Sequence, residues 1–595
     1  MSTAILTGQP VPGSSIEGDL RSLGFDVRIA ADAADAERLV AEAPCDVRVA
    51  LVDARLVGHV HALRLGLTDP RFALAAIPGA VTAQPGGRAA ITRALARDNS
   101  TGGGTAVAVD SLPDRIVTAL DDDGADVHRP ELGSLVAAVP ADPQARNEAR
   151  QAVANVDDEA VRLKSAVKSR DGFFTTFFIS PYSRYIARWC ARRGLTPNQV
   201  TTASLLTALI AAGCAATGTR IGFVAAGVLL LASFVLDCTD GQLARYSLQY
   251  STLGAWLDAT FDRAKEYAYY AGLALGAARG GDDVWALALG AMILQTCRHV
   301  VDFSFNEANH DATANTSPTA ALSGKLDSVG WTVWVRRMIV LPIGERWAMI
   351  AVLTAVTTPR ITFYVLLIGC AFAATYTTAG RVLRSLTRKA RRTDRAAQAL
   401  SDLADNGPLA SFLGRVAPRQ LGGPFPIALA GTVVLAVSLF SGVTWAPVAG
   451  ALVYANTAGQ ALRRPLKGAL DWLVPPLFRA AEYGTVLVLA AKADVNGALP
   501  AAFGLVAAVA YHHYDTVYRI RGNAGAPPAW LVRAIGGHEG RTLLVTVLAA
   551  ALTASQFKVA LTVLAVAVAL VVLVESIRFW VSSGAPAVHD EGEPA

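Results

Sequence analysis

The sequence predicts a mainly α fold: a polytopic membrane helical bundle, preceded by a soluble α/β domain and followed by a second membrane bundle. Three observations predict it. Of the 595 residues, 53% are hydrophobic and 17% charged, against roughly a quarter charged in soluble proteins. From about residue 199 onward the apolar residues gather in runs of bilayer-spanning length. Before residue 144 they instead form short β-branched runs that alternate with alanine-rich segments of helical period.

Residues 1–144 carry the runs TAILT, FDVRIA and RVALVD, each leading into a helical segment, so strands and helices should alternate there. The loop NSTGGGT at 99–105 and the acidic run Asp121, Asp122 and Asp123 read as turns, the second solvated rather than metal-binding. Residues 145–171 read as a charged amphipathic connector helix. The stretch from Phe173, FFTTFFISPYSRYIARWCARRG, mixes aromatic residues and arginines in the manner of a helix lying in the membrane interface. Six spans are expected near 199–217, 221–247, 252–278, 283–305, 343–358 and 361–384. Between the fourth and fifth, a polar insert at 306–340 holds the tryptophan-rich stretch DSVGWTVWVRRM, expected at the interface. Residues 391–424 read as a polar linker, 425–583 as the second bundle and 584–595 as a disordered tail.

The formal net charge is only +5, and its placement says more than its size. Arg184, Arg188, Arg192 and Arg193 precede the first span, and Arg381, Arg384, Arg388, Lys389, Arg391, Arg392 and Arg395 border the sixth. Basic residues mark the cytoplasmic face, so the number of spans between the clusters should be even. The start MSTAILTGQP lacks the basic and apolar regions of a cleaved signal, which places the N-terminal domain in the cytoplasm, beneath the cytoplasmic membrane. Without interleaved aromatic residues the basic clusters do not point to nucleic acid. Cys45, Cys190, Cys214, Cys238, Cys297 and Cys370 show no paired spacing, so neither a disulfide framework nor a zinc site is indicated.

The chemistry lies in the second and third spans, in LDCTDGQLARYSLQYSTLGAWLDATFDRAKEY. Asp237, Asp240 and Ala244 recur at three and four residues, as do Gly254, Asp258 and Asp262, so each set shares one helix face. A charge at the bilayer centre costs roughly 2.5–3.5 kcal/mol on insertion scales, and four carboxylates repel one another as well. One or two divalent cations would compensate, since hard oxygen ligands suit magnesium or manganese and such ions accompany phosphate groups. Gly241, Ala244 and Gly254 remove bulk from the same faces, allowing close helix packing or approach of a nucleotide. The alternative is that the acids form structural ion pairs with Arg245, Arg263 and Lys265. Arg298, His299, Glu345 and Arg346 are further polar residues inside spans. Arg298 and Arg346 could bind an acceptor phosphate or pair with Asp302 and Glu345, and His299 reads as a packed or hydrogen-bonded side chain.

The pattern D-x-x-D-G-x-x-A-R, eight residues, then G-x-x-x-D-x-x-x-D resembles the signature of the CDP-alcohol phosphotransferase (CDP-alcohol phosphatidyltransferase) family, with every position filled. TPNQVT at 196–201 is similar to the family's entry to its first span, and the resemblance covers about residues 172–390. It implies a six-helix membrane fold that transfers a phosphoryl-alcohol group from a CDP-alcohol donor to an acceptor hydroxyl, releasing CMP. The acceptor would be an alcohol or alcohol phosphate, in phospholipid or inositol-phosphate-type biosynthesis, beside membrane lipid. By the same resemblance Asp237, Asp240 and Asp258 would hold two Mg2+ or Mn2+ ions. Asp262 would be the catalytic base and a fourth ligand, and Asn198, Gly241, Ala244, Arg245 and Gly254 would belong to the CDP site. A homodimer is also implied, unless the second bundle takes that interface. A cation-coupled transporter, whose acids would not need the full spacing, and a non-catalytic membrane scaffold, opposed by the intact acidic set, are the alternatives from other classes.

The two hydrophobic blocks read as a duplication. VLDCTDGQLARY answers to VYANTAGQALRR, FDRAKEY to LFRAAEY, and IGERWAMIAVLTA to GHEGRTLLVTVLAA. In the second copy Ala455 and Ala458 stand for Asp237 and Asp240, and Val474 and Phe478 for Asp258 and Asp262, which predicts a bundle without the acidic site. Its remaining polar residues, Asp471, Arg479, Glu482, His512, His513, Asp515, Arg519, Glu539 and Arg541, could bind a head group but read more readily as a structural ion-pair network. The N-terminal domain, whose first strand leads into TGQPVPGSS rather than a glycine-rich, arginine-containing loop, resembles at most a degenerate nucleotidyltransferase or a regulatory module.

Overall fold

The computed structural model describes residues 2–9, 11–100, 111–168, 171–310, 334, 338–387, 391–416, 422–522 and 524–582. The glycine-rich part of the loop at 101–105, most of the tryptophan-rich stretch at 327–338 and the tail at 584–595 lie outside those residues. The chain divides into two compact units, one formed chiefly by residues 1–167 and the other by the membrane helices.

The N-terminal unit is built on a five-stranded sheet of β1 (Ser2–Thr7), β2 (Phe25–Ala30), β3 (Val49–Asp53), β4 (Leu74–Ile77) and β5 (Ala80–Ala83). The strand order is β2-β1-β3-β5-β4. β1 pairs in parallel with β2 and β3, while β5 runs antiparallel to both β3 and β4. The first three strands are those the alternating pattern predicts. β3 is buried at every position, as expected of a strand covered on both faces. Helices Ala33–Glu42, Arg88–Ser100 and Leu112–Asp122 supply one covering core and Ile16–Ser22 and Val60–Thr68 the other. In the acidic turn at Asp121–Asp123, Asp121 meets Arg129 at 2.5 Å and Asp123 meets Arg97 at 2.7 Å. The connector is two helices rather than one, Pro143–Ala154 and Asp158–Ser165. Asp157 ends the continuity because its carboxylate caps the second helix, accepting from the Ala160 amide at 3.0 Å.

Among the described residues the membrane unit has twelve long helices in two sets of six. The first set is α1 (Pro197–Ala216), α2 (Arg220–Ser247), α3 (Thr252–Arg279), α4 (Trp285–Asn309), α5 (Ile343–Val356) and α6 (Pro359–Thr387). The second is α7 (Pro424–Ser438), α8 (Ala446–Ala461), α9 (Val474–Lys492), α10 (Ala498–Arg521), α11 (Gly537–Ala551) and α12 (Ala554–Ser582). Six of the described helical stretches are long and apolar enough to cross a membrane: α1, α2, α6, α12, α7 extended to Ser441, and Asp471–Lys492. α3 and α4 have the length, 28 and 25 residues, but carry ionic side chains that are satisfied inside the bundle. α5, with 14 residues, is only about 21 Å long.

Small residues set the packing. A Cβ on Gly272 or Gly276 of α3 would run into the Ala212 or Ala215 carbonyl of α1, so these helices touch backbone to backbone. The interfacial stretch is helical over 173–192 and exposes Phe177, Phe178, Tyr182, Tyr185 and Trp189, the aromatic residues that suit a membrane surface. All six cysteines are free. Residues 391–424, expected as a linker, contain helices Asp394–Ala404 and Pro408–Val416. Ala396, Leu400, Leu403 and Ala404 recur at helical spacing and are buried, which is why this polar segment packs rather than spans solvent.

Candidate active site

α2 and α3 are joined by a short turn in which Leu248 takes a left-handed φ of 51°, so the end of one helix leads directly into the start of the next. Asp237 and Asp240 lie one turn apart on α2, and Asp258 and Asp262 one turn apart on α3. The carboxylate oxygens of Asp237, Asp240 and Asp258 come within 4.8 Å of one another. Among the described residues this is the one group of three or more such side chains placed to hold a metal.

Asp240 is 4% exposed, and its Oδ2 is buried with no hydrogen-bond donor. A buried carboxylate oxygen without a partner is costly. A divalent cation bound by oxygen ligands would satisfy it, and the three-carboxylate donor set fits such an ion. Asp262 stands outside this trio but is tied to it: Lys265 Nζ donates to Asp262 Oδ1 at 3.1 Å and also to Asp237 Oδ1. Lys265 is fully buried, with its ammonium 5.7 Å from the centre of the Trp347 ring. Lys265 thus makes the contacts that the ion-pair alternative expects of it, to Asp237 and Asp262.

Asn198 lies in the first turn of α1, where its carbonyl accepts from the Thr202 hydroxyl at 2.8 Å. Gly241, Ala244 and Arg245 occupy the last turns of α2, and Arg245 Nε donates to the Ala166 carbonyl at 2.6 Å. Gly254 lies in the first turn of α3.

The other buried ions are arranged differently from their sequence pairing. Arg346 pairs with Glu266 rather than with Glu345: its Nε lies 3.1 Å from Glu266 Oε1, and Arg263 Nη1 lies 2.9 Å from Glu266 Oε2. Glu345 accepts the Phe174 amide at 3.2 Å, Asp302 pairs with Arg381, and Arg298 donates to the Val340 carbonyl. His299 is hydrogen-bonded to Gln295 at 2.7 Å and to the Tyr514 hydroxyl. Glu266 is a residue that the motif spacing does not point to, and its one signal in the sequence is the i,i+3 spacing from Arg263 of a helical ion pair.

Residues 194–376 match the CDP-alcohol phosphatidyltransferase family, and residues 394–595 match a family of unknown function. The chain is similar to a bifunctional IPC transferase and DIPP synthase of Aquifex aeolicus, 32% identical over 114 residues, 19% of this chain and 26% of that protein. It is similar to an archaetidylinositol phosphate synthase of Pyrococcus horikoshii, 32% identical over 113 residues, 19% of this chain and 58% of the relative. A phosphatidylinositol phosphate synthase of Mycolicibacterium smegmatis is 37% identical over 122 residues, 20% of this chain and 53% of the relative. The matches thus span between about a quarter and somewhat over half of these relatives' lengths. The acid-bearing helices α2 and α3 lie within the family match, and residues 194–376 constitute a CDP-alcohol phosphatidyltransferase domain.

Proposed function

We propose that this domain transfers a phosphoryl-alcohol group from a CDP-alcohol to an acceptor hydroxyl, with release of CMP. The observation that carries the reading is the convergence of Asp237, Asp240 and Asp258 within 4.8 Å, with a partnerless oxygen on Asp240. These three side chains would hold Mg2+ or Mn2+. When bound, such ions neutralise a diphosphate and stabilise the departing oxyanion. Asp262 accepts the proton of the attacking hydroxyl, a role that needs a carboxylate beside the ion site but not consumed by it. Lys265, bridging Asp237 and Asp262, fixes the orientation of that carboxylate. Asn198, Gly241, Ala244, Arg245 and Gly254 are assigned to the nucleotide end of the donor.

The named relatives make inositol-phosphate lipids or related compounds by name. That favours a phosphorylated polyol such as inositol phosphate as acceptor and a lipid or inositol CDP-alcohol as donor. A donor-by-acceptor matrix on purified protein tests the assignment, scored by CMP release in the presence of magnesium or manganese. Asp262→Asn should abolish transfer while sparing CDP-alcohol binding; near-normal turnover by that variant would remove Asp262 from the role of base.

A further inference from the structure

The second set of helices repeats the first in order and, at its end, in length: α5 and α11 have 14 and 15 residues, and α6 and α12 have 29 each. Two devices recur with them. In the first set Arg263 and Arg346 clamp Glu266, through Nη1 to Oε2 at 2.9 Å and through Nε to Oε1 at 3.1 Å. In the second, Arg479 and Arg541 clamp Glu482 through the same atoms, Nη1 to Oε2 at 2.8 Å and Nε to Oε1 at 2.5 Å. Each clamp joins the third helix of its set to the fifth.

The other device is a cap. Glu345, at the start of α5, accepts the Phe174 amide at the beginning of the helix that precedes α1. Glu539, at the start of α11, accepts the Gly407 and Ala410 amides, both at 3.0 Å, at the beginning of the helix that precedes α7. A glycine sits under each carboxylate: a Cβ on Gly172 would lie 2.5 Å from Glu345 Oε2, and one on Gly407 would lie 2.8 Å from Glu539 Oε1. Short apolar segments align by chance, but a three-residue clamp and a glycine-backed cap do not reappear on corresponding helices by chance.

What differs between the sets is the chemistry. Asp237, Asp240, Asp258, Asp262 and Lys265 correspond to Ala455, Ala458, Val474, Phe478 and Ala481, all of them buried and the last four within one apolar core. Phe478 stacks on His538 at 4.2 Å, filling the space with packed rings. The lysine has gone together with the acids, while the Arg–Glu–Arg clamp has stayed.

The two sets also meet reciprocally. α4 packs on α9, α3 packs on α10, and α4 packs on α10. This is the pattern of a twofold interface, in which the contact of the third helix with the partner's fourth occurs twice and the fourth helices meet at the axis. Trp285 meets Phe503 at 5.7 Å near the starts of α4 and α10, and His299 meets Tyr514 at 5.7 Å further along both. The contacts advance in the same direction, so α4 and α10 run parallel, as an axis along the helices requires. An even number of helices in the first set returns the chain to its starting side, which lets the second set enter in the same orientation.

We infer that α7–α12 is a copy of α1–α6 that keeps the scaffold, has lost the acidic site, and docks on the first around a pseudo-twofold axis, filling the place of a second chain. The protein then carries its own partner and one reactive centre per chain. This holds or fails independently of the reaction assigned above, because it concerns assembly alone.

Light scattering on the full-length protein in mild detergent, across a wide dilution range, tests it. The expected protein mass per particle is that of one chain, 62.2 kDa, at every concentration. A stable particle of two chains would overturn the inference. So would an experimental structure of the full chain in which a half-turn about the α4–α10 axis fails to bring Glu266 onto Glu482.

Discussion

Lys265 separates a chemical site from a structural one. A fully buried ammonium that touches Asp237 and Asp262 holds two carboxylates in fixed relation, and the second helix set, which lacks the acids, has alanine in its place. Losing an outer partner of a metal-binding carboxylate typically costs about 10–100-fold in activity or metal affinity. Lys265→Met should fall in that range for both CMP release and manganese affinity, with partial rescue by Lys265→Arg; a variant with reduced stability but unchanged metal affinity would make Lys265 a packing residue. In the N-terminal unit, His61 is 1% exposed and neither ring nitrogen has a partner. Burial, helped by the charge of Arg162, pushes its pKa down to about 4. The folded unit therefore binds the His61 proton more weakly than the unfolded chain, and stability should be full above about pH 6.5 and decline as the pH falls toward 4. Thermal unfolding of wild type and His61→Phe across that window checks this: the variant should show the shallower loss.

At the scale of elements, the two Arg–Glu–Arg clamps make the clearest prediction. Removing Glu266 takes from Arg263 and Arg346 the buried carboxylate they share, and breaking a buried pair in this way costs about 3–5 kcal/mol, whereas in the second set Asp405 still pairs with Arg541 at 2.8 Å and with Arg479 at 3.6 Å. Glu266→Gln should therefore lower the unfolding temperature more than Glu482→Gln, measured by a thiol-reactive or tryptophan fluorescence melt in detergent. Elements whose pattern repeats along the chain were legible in the sequence: β1, β2 and β3, and the helices α1 to α6, lie where β-branched runs and apolar stretches place them. The connector and residues 391–424 were less so. The connector breaks because one carboxylate, Asp157, finds an amide to cap, and 391–424 folds because four apolar residues find a core. Composition registers both segments as polar and carries no record of either partner. The same holds for Arg346, whose sequence neighbour Glu345 caps another helix while Glu266, 80 positions away, takes its charge.

For the molecule as a whole, the acidic site was legible because helical spacing alone puts each aspartate pair on one face; only the structure shows Asp237, Asp240 and Asp258 converging while Asp262 is held aside by Lys265. The pairing of the two helix sets was legible only as a faint repeat, since clamps and caps are made by residues far apart in the chain. A divalent cation gathered by α2 and α3 is central to the proposed chemistry, and CMP release from a CDP-alcohol by the purified full-length protein tests that most directly. Release should vanish on chelation, return with magnesium or manganese, and fall by on the order of 10²-fold or more in Asp240→Asn. Release that persists in the chelated protein, or survives intact in Asp240→Asn, would contradict it.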